Sequence, residues 1–110
     1  MSPPASQWVA ERLLCGILSI HMEFEFDPKK SLSNRRKHGI DFDEAQALWS
    51  DPDAVEIPAR TTDEPRFLVI GKIGDGHWSA VTTRRDGKTR IISLRRSRDE
   101  EVEIYESARV

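Results

Sequence analysis

Asp86-Gly87, set between two runs of strand-forming residues, constrains this chain more than any other pair. Asp-Gly tolerates the positive φ angles of a two-residue hairpin turn, so Trp78–Arg85 and Lys88–Arg95 should fold back on each other antiparallel. A two-residue turn also sets the register. Arg85 then opposes Lys88 and Val81 opposes Ile92. One face carries Val81, Thr83 and Arg85 beside Arg90, Ile92, Leu94 and Arg96, and the other carries Trp78, Ala80, Thr82 and Arg84 beside Ile91, Ser93 and Arg95. The first face is expected to be core. The second, small, hydroxylated and basic, is expected to be a platform open to solvent. In this register Arg85 and Arg95 lie on opposite faces.

The hairpin continues upstream as a meander, through Arg66–Ile73 and Ala54–Pro58, with Gly74-Asp75-Gly76 as a turn. Before it, Met22–Phe26 alternates as a strand, and Asp27-Pro28 opens a helix to about His38, where Gly39 supplies a left-handed cap. Asp41 to Glu44 restarts a helix with a capping box, placing Phe42, Ala45, Leu48 and Trp49 on one face until Asp51-Pro52 ends it. Ser97 to Glu100 repeats the capping box, and Val102, Tyr105 and Ala108 give a last helix its buried face. The expectation is one α+β domain over residues 22–110: a mainly antiparallel sheet of four to five strands, two N-terminal helices and one C-terminal helix.

Residues 1–21 read as an extension, in which Val9, Leu13, Ile17 and Ile20 fit a short amphipathic helix; an over-long start upstream of Met22 is the alternative. The apolar stretch Trp8–Ile20 contains Glu11 and Arg12 and falls short of the roughly 20 residues of a membrane span. The N-terminus lacks the positive charge of a signal peptide. A single cysteine, Cys15, excludes an internal disulfide framework and a cysteine-rich zinc site, which points to a reducing, cytoplasmic setting.

Formal charge is −2 over 110 residues, but it is segregated. Residues 29–38 hold five bases and no acid; residues 40–64 hold eight acids against Arg60; residues 77–98 hold seven bases against Asp86. Such a chain can present a basic face to a polyanion. His21, His38 and His77 share no metal-ligand spacing, no nucleophile elbow occurs, and the glycine-rich run at 71–76 joins strand to strand, so no metal or cofactor is expected. Arginines beside Lys, His, Glu and Tyr suffice for metal-free RNA cleavage, where cations stabilise the phosphorane and an acid and a base move protons. A non-catalytic module binding nucleic acid or a partner is the rival reading. By periodicity alone, Tyr105 and Trp49 belong to the core.

In order along the chain, Phe24-Glu-Phe-Asp27-Pro28 with Lys30, Asn34, Lys37-His38-Gly39-Ile40, Phe42-Asp-Glu44-Ala45, Asp51-Pro52, Arg66, Ile70-Gly71, Thr83, Arg85, Arg90-Ile-Ile-Ser93, Arg95-Arg96, Glu101 and Tyr105 resemble the BrnT toxins of bacterial type II toxin–antitoxin modules. The resemblance implies a RelE-like α+β fold and a ribonuclease that inhibits translation and growth. It also implies a BrnA-like antitoxin whose ribbon-helix-helix part binds operator DNA. Joined to the basic platform, it nominates Arg66, Arg85 and Arg95 as phosphate and transition-state cations, and His38 and Glu101 as acid and base. Lys30, Lys37, Arg90, Arg96 and Tyr105 are the expected substrate contacts. An antitoxin segment would cover Arg66, Arg85, Arg90 and Arg95 and dock on Trp78 and Ile91. This chain departs from the family pattern in three places. Arg60 to Pro65 lacks the usual loop His, Gly76-His77 replaces Gly-Arg, and Phe26 replaces a Trp, which leaves His77 as a candidate substitute shuttle.

Overall fold

A computed structural model describes residues 11–12, 23–59 and 64–108. Its sheet has the order β1-β3-β4-β5-β6-β2, where β1 is Glu11–Arg12, β2 Phe24–Glu25, β3 Val55–Ala59, β4 Arg66–Ile73, β5 Gly76–Arg85 and β6 Lys88–Arg96. The five strands after residue 22 match the expected count. Every pairing is antiparallel except that of β2 with β6, which makes the sheet mixed. The helical expectation for residues 9–20 fails at Glu11 and Arg12, which extend the sheet by pairing with Glu56 and Val55; the rest of that stretch lies outside the described residues.

Helix α1, Pro28–His38, is capped by the Asp27 carboxylate, which accepts the Lys29 N–H at 2.9 Å, and closed by Gly39 at φ 79°. The capping box of α2, Phe42–Ala45, forms as expected. After one turn the backbone tightens into a 3₁₀ segment, Gln46–Ser50, closed by the Asp51 N–H on the Leu48 carbonyl. Helix α3, Asp99–Ala108, starts one residue later than the expected capping box, so Glu101, not Glu100, reaches back to the Arg98 N–H at 2.8 Å. Its buried residues are Glu101, Ile104 and Tyr105, with Ile104 in the role expected of Val102. Among the described residues no helix is long and apolar enough to cross a membrane.

The hairpin register holds from Arg85↔Lys88 to Thr82↔Ile91 and then slips: Val81 opposes Ser93, not Ile92, and Ser79 opposes Arg95. Ile92 is the extra residue of a β-bulge. The physical cause is core burial. With the bulge, Ile91 at 1% and Leu94 at 0% exposure both enter the cluster formed with Phe42, Ala45, Leu48, Trp49, Val69 and Ala80 under α1 and α2. Without it, Ser93 would replace Leu94 opposite Ala80 in that core, and Arg95 would replace Arg96 opposite Trp78. Burying one such apolar side chain stabilises by about 1.5–3 kcal/mol, against about 1 kcal/mol for one ladder hydrogen bond. Apolar burial decides the register.

The expected faces are inverted, independently of the bulge: the helices cover the face that was expected to be open. Ala80, Thr82 and Ile91 are buried on the rear face, beneath the helices, whereas Val81 and Ile92 are only half-buried. Trp78 packs half-buried against the rear core, so Trp78 and Ile91 do not form the exposed docking surface expected of them. The front face bears α3 at one end, where Ile104 and Tyr105 close a second core over Val55, Ile57 and Ile70.

Candidate active site

Cross-strand pairing arranges the front face in rows. Lys72 and His77 form the first; Val55, Ile70, Ser79 and Arg95 the second; Ile57, Leu68, Val81 and Ser93 the third; Arg66, Thr83 and Arg90 the fourth; Arg85 and Lys88 the last. The bulge therefore brings Arg95 to the same face as Arg66, Arg85 and Arg90, where the regular register had divided them. From the Ser79 row to the Thr83 row is four residues, or about 13 Å of strand. Between the cations lies a half-buried floor of Leu68, Val81 and Ser93.

Each of these arginines faces a carboxylate. Arg95 makes two parallel bonds to Glu101, 2.7 and 2.8 Å long. Glu101 Oε1 also accepts from the Ser79 hydroxyl at 3.0 Å and from the Arg98 N–H at 2.8 Å. Burial pushes the Glu101 carboxyl up, but the Arg95 guanidinium, the Arg98 N–H and the Ser79 hydroxyl outweigh it and hold the group below its ordinary value. In turn the Glu101 hydrogen bond raises Arg95. Glu101 is thus an ionised carboxylate that accepts four hydrogen bonds, two of them from the guanidinium it holds. At the other end Glu64 bridges Arg85 at 3.3 Å and Arg66 at 4.0 Å, and Thr83 fixes that loop by donating to the Pro65 carbonyl at 2.7 Å. Arg90 lies 3.5 Å from Glu25, whose Oε1 is shielded from solvent and accepts no hydrogen bond.

The other nominated residues are placed elsewhere. Arg96 is on the rear face with its guanidinium over Trp78, 5.3 Å from the ring centroid, and a side chain at Gly76 would collide with it. Tyr105 is 1% exposed and donates its hydroxyl to Asp51 at 2.8 Å, tying α3 to the end of the 3₁₀ segment. Lys30, Lys37 and His38 are exposed on α1, which packs along β6 through Asn34, whose side chain accepts the Leu94 N–H at 3.2 Å. The histidine on the arginine face is His77, two residues from Ser79. Its Nε2 lies 3.3 Å from Glu106 and its ring stands edge-on to Tyr105. The strand starts at Gly76, two residues before the expected Trp78, and His77 shares the parity of Ser79, Val81, Thr83 and Arg85, which is the signal that places it. Glu25, Glu64 and Ser79 were likewise not foreseen at the site.

A row of planar guanidiniums along a sheet, one of them clamped from below, suits the binding of successive anionic groups such as phosphates. No curated protein matches the chain. A family model described as "Ribonuclease toxin, BrnT, of type II toxin-antitoxin system" matches residues 26–101, from the residue after β2 through every front-face row to the Glu101 clamp. The chain belongs to the BrnT family of ribonuclease toxins of type II toxin–antitoxin systems.

Proposed function

We propose that this toxin cleaves RNA on the front face, without a metal ion, by attack of a ribose 2′-hydroxyl on the adjacent phosphate. The O2′–P bond forms, the P–O5′ bond breaks, and the products carry a 2′,3′-cyclic phosphate and a 5′-hydroxyl. The observation that carries this reading is the bulge-aligned set Arg66, Arg85, Arg90 and Arg95. Arg95, held by Glu101, is the cation at the reacting phosphate. Arg66, Arg85 and Arg90 hold neighbouring phosphates, which replace Glu64 and Glu25 as their partners. Glu101, 8% exposed and already accepting four hydrogen bonds, acts as the positioning residue for Arg95. His77 moves the proton in place of His38, since it shares the arginine face. Stabilising the phosphorane through such preorganised donors is worth about 10²–10³ in rate per donor.

Family membership implies a protein antitoxin. In this reading it is BrnA-like, with a ribbon-helix-helix part that takes the complex to operator DNA, and the toxin has a RelE-like fold and works in the cytoplasm against translation. The test is incubation with RNA in EDTA. Products ending in 2′,3′-cyclic phosphate, lost in Arg95→Ala, are expected; intact RNA in slow-migrating complexes would reject cleavage in favour of binding.

A further inference from the structure

Carboxylates or an aromatic ring engage nearly every arginine of the sheet: Glu64 meets Arg66 and Arg85, Glu56 meets Arg84, Glu25 meets Arg90, Glu101 meets Arg95 and Trp78 meets Arg96. Helix α1 is different. It contains no acid, and of its basic residues Arg35 alone is paired, with Asp41 at 3.3 Å and Glu44 at 3.1 Å. Lys29, Lys30, Arg36 and Lys37 are exposed, with no carboxylate partner among the described residues. At about 100° per residue these four fall within about 120° of arc, opposite the buried Ser31 and Asn34. They form two tiers, Lys29 with Lys30 and Arg36 with Lys37, seven residues or about 10 Å apart along the axis. Leu32, 52% exposed and the exposed large hydrophobic of the described surface, lies level with the gap between the tiers but about 40° outside their arc, on the side of Arg36.

We infer that this side of α1 is a second RNA-binding surface, separate from the reacting centre, that holds the backbone of a single strand flanking the cleavage point. The inference rests on the reading that the front face cleaves RNA. Unpaired cations meet phosphates without breaking an ion pair, whereas the front-face arginines must first give up a carboxylate. A protein partner would call for an apolar, aromatic core to the patch, and here Leu32 stands alone among charges. Flexible cations at tiers about 10 Å apart suit a chain with a charge on every nucleotide, bound through counterion release and without readout of sequence. The surface raises affinity for long RNA and takes no part in bond cleavage.

The test compares the full chain with the Lys29→Gln, Lys30→Gln, Arg36→Gln, Lys37→Gln variant, whose helix propensity is nearly unchanged. Binding of a long, fluorescent, 2′-O-methyl single-stranded RNA, which lacks the attacking hydroxyl, is titrated at several salt concentrations. Removing four phosphate contacts should lower the slope of log K against log salt by about 3. Cleavage of a trinucleotide bound at the front face should keep its kcat/KM, and the Lys29→Arg, Lys30→Arg, Lys37→Arg variant should keep the full slope. An unchanged slope overturns the inference, as does an equal loss of trinucleotide cleavage, which would put these residues at the reacting centre. Loss of antitoxin co-purification with an unchanged slope would give the surface to the protein partner instead. If the unaltered chain cleaves no RNA, it is the front-face reading that falls.

Discussion

Replacing Glu101 by Ala separates a residue that positions Arg95 from one that moves protons. The carboxylate accepts two bonds from Arg95, one from Ser79 and one from the Arg98 N–H, and truncation strands all four donors except the Ser79 hydroxyl, which still has Ser97 at 2.7 Å. Losing one partner of a fully buried ion pair costs about 3–5 kcal/mol, and of an exposed pair about 0–1 kcal/mol. Side-chain exposures of 25% for Arg95 and 8% for Glu101 place this pair between the limits, nearer the buried one. We expect about 2–3 kcal/mol for the pair and about 1 kcal/mol for the lost helix cap. Arg95→Ala should cost less, about 1–2 kcal/mol, because Glu101 keeps two donors.

Denaturant unfolding of the two single variants and the double variant reads the coupling directly, and about 1.5–3 kcal/mol of non-additivity is expected for touching residues. RNA cleavage supplies the second reading. Glu101→Ala should lower kcat without altering the shape of the pH–rate profile, and should have no further effect once Arg95 is Ala. Two results would refute the reasoning: stability within about 0.5 kcal/mol of the unaltered chain, or a pH–rate profile that loses one limb, which would return Glu101 to proton transfer. The pH dependence of stability has a definite sign. Glu101 titrates below its ordinary 4.5 in the folded chain, so its contribution is complete above that value and fades as pH falls through the lowered one. The stability gap to Glu101→Gln should therefore be flat at neutral pH and close in acid.

Arg95→Ala should lower cleavage by about 10²–10³ while leaving antitoxin co-purification intact, since its loss removes a transition-state donor. His77→Ala should abolish a limb of the pH–rate profile that His38→Ala leaves in place; the reverse result would move proton transfer to α1. Tyr105→Phe should cost about 0.5–1.5 kcal/mol of stability with cleavage unchanged, because its hydroxyl serves Asp51 and not the substrate. Gly39→Ala should cost about 1 kcal/mol by thermal unfolding, since φ 79° suits a residue without Cβ and the site lies away from the arginine face.

Local signals carried far in this chain. Caps at Asp27, Gly39 and Asp41 and the turn at Asp86-Gly87, with φ 54° and 77°, are short-range devices whose geometry is decided by the residues themselves, and each formed where expected. Ser97 to Glu100 did not, because Glu101 gains more by joining Arg95 than a solvent-exposed box would give. The candidate site was legible in residue type but not in arrangement. Its arrangement depends on Ile92, whose displacement from the ladder is decided by whether Leu94 or Ser93 faces a core made of α1, α2 and β4, partners that lie 20 to 60 residues upstream in the chain. No counting outward from the turn contains that competition.

The same competition explains why the arginines end up together. A regular ladder would put Ser93 in the place of Leu94 opposite Ala80 and send Arg95 to the rear face opposite Trp78, where Arg96 now stands, away from Glu101. The bulge shifts both by one residue, and Arg95 then finds Glu101 at the start of the next helix. Packing of Leu94 and placement of Arg95 are therefore a single structural event, read out on opposite faces of one strand. A substitution that relieves the demand of Leu94 for the core, such as Leu94→Ser, should then weaken more than stability. It should let the hairpin revert toward the turn-dictated register, and cleavage should fall further than the fraction of folded protein does. Parallel measurement of unfolding and kcat across Leu94→Val, Leu94→Ala and Leu94→Ser checks this. Activity that merely tracks the folded fraction would show that Arg95 reaches the front face without help from the core.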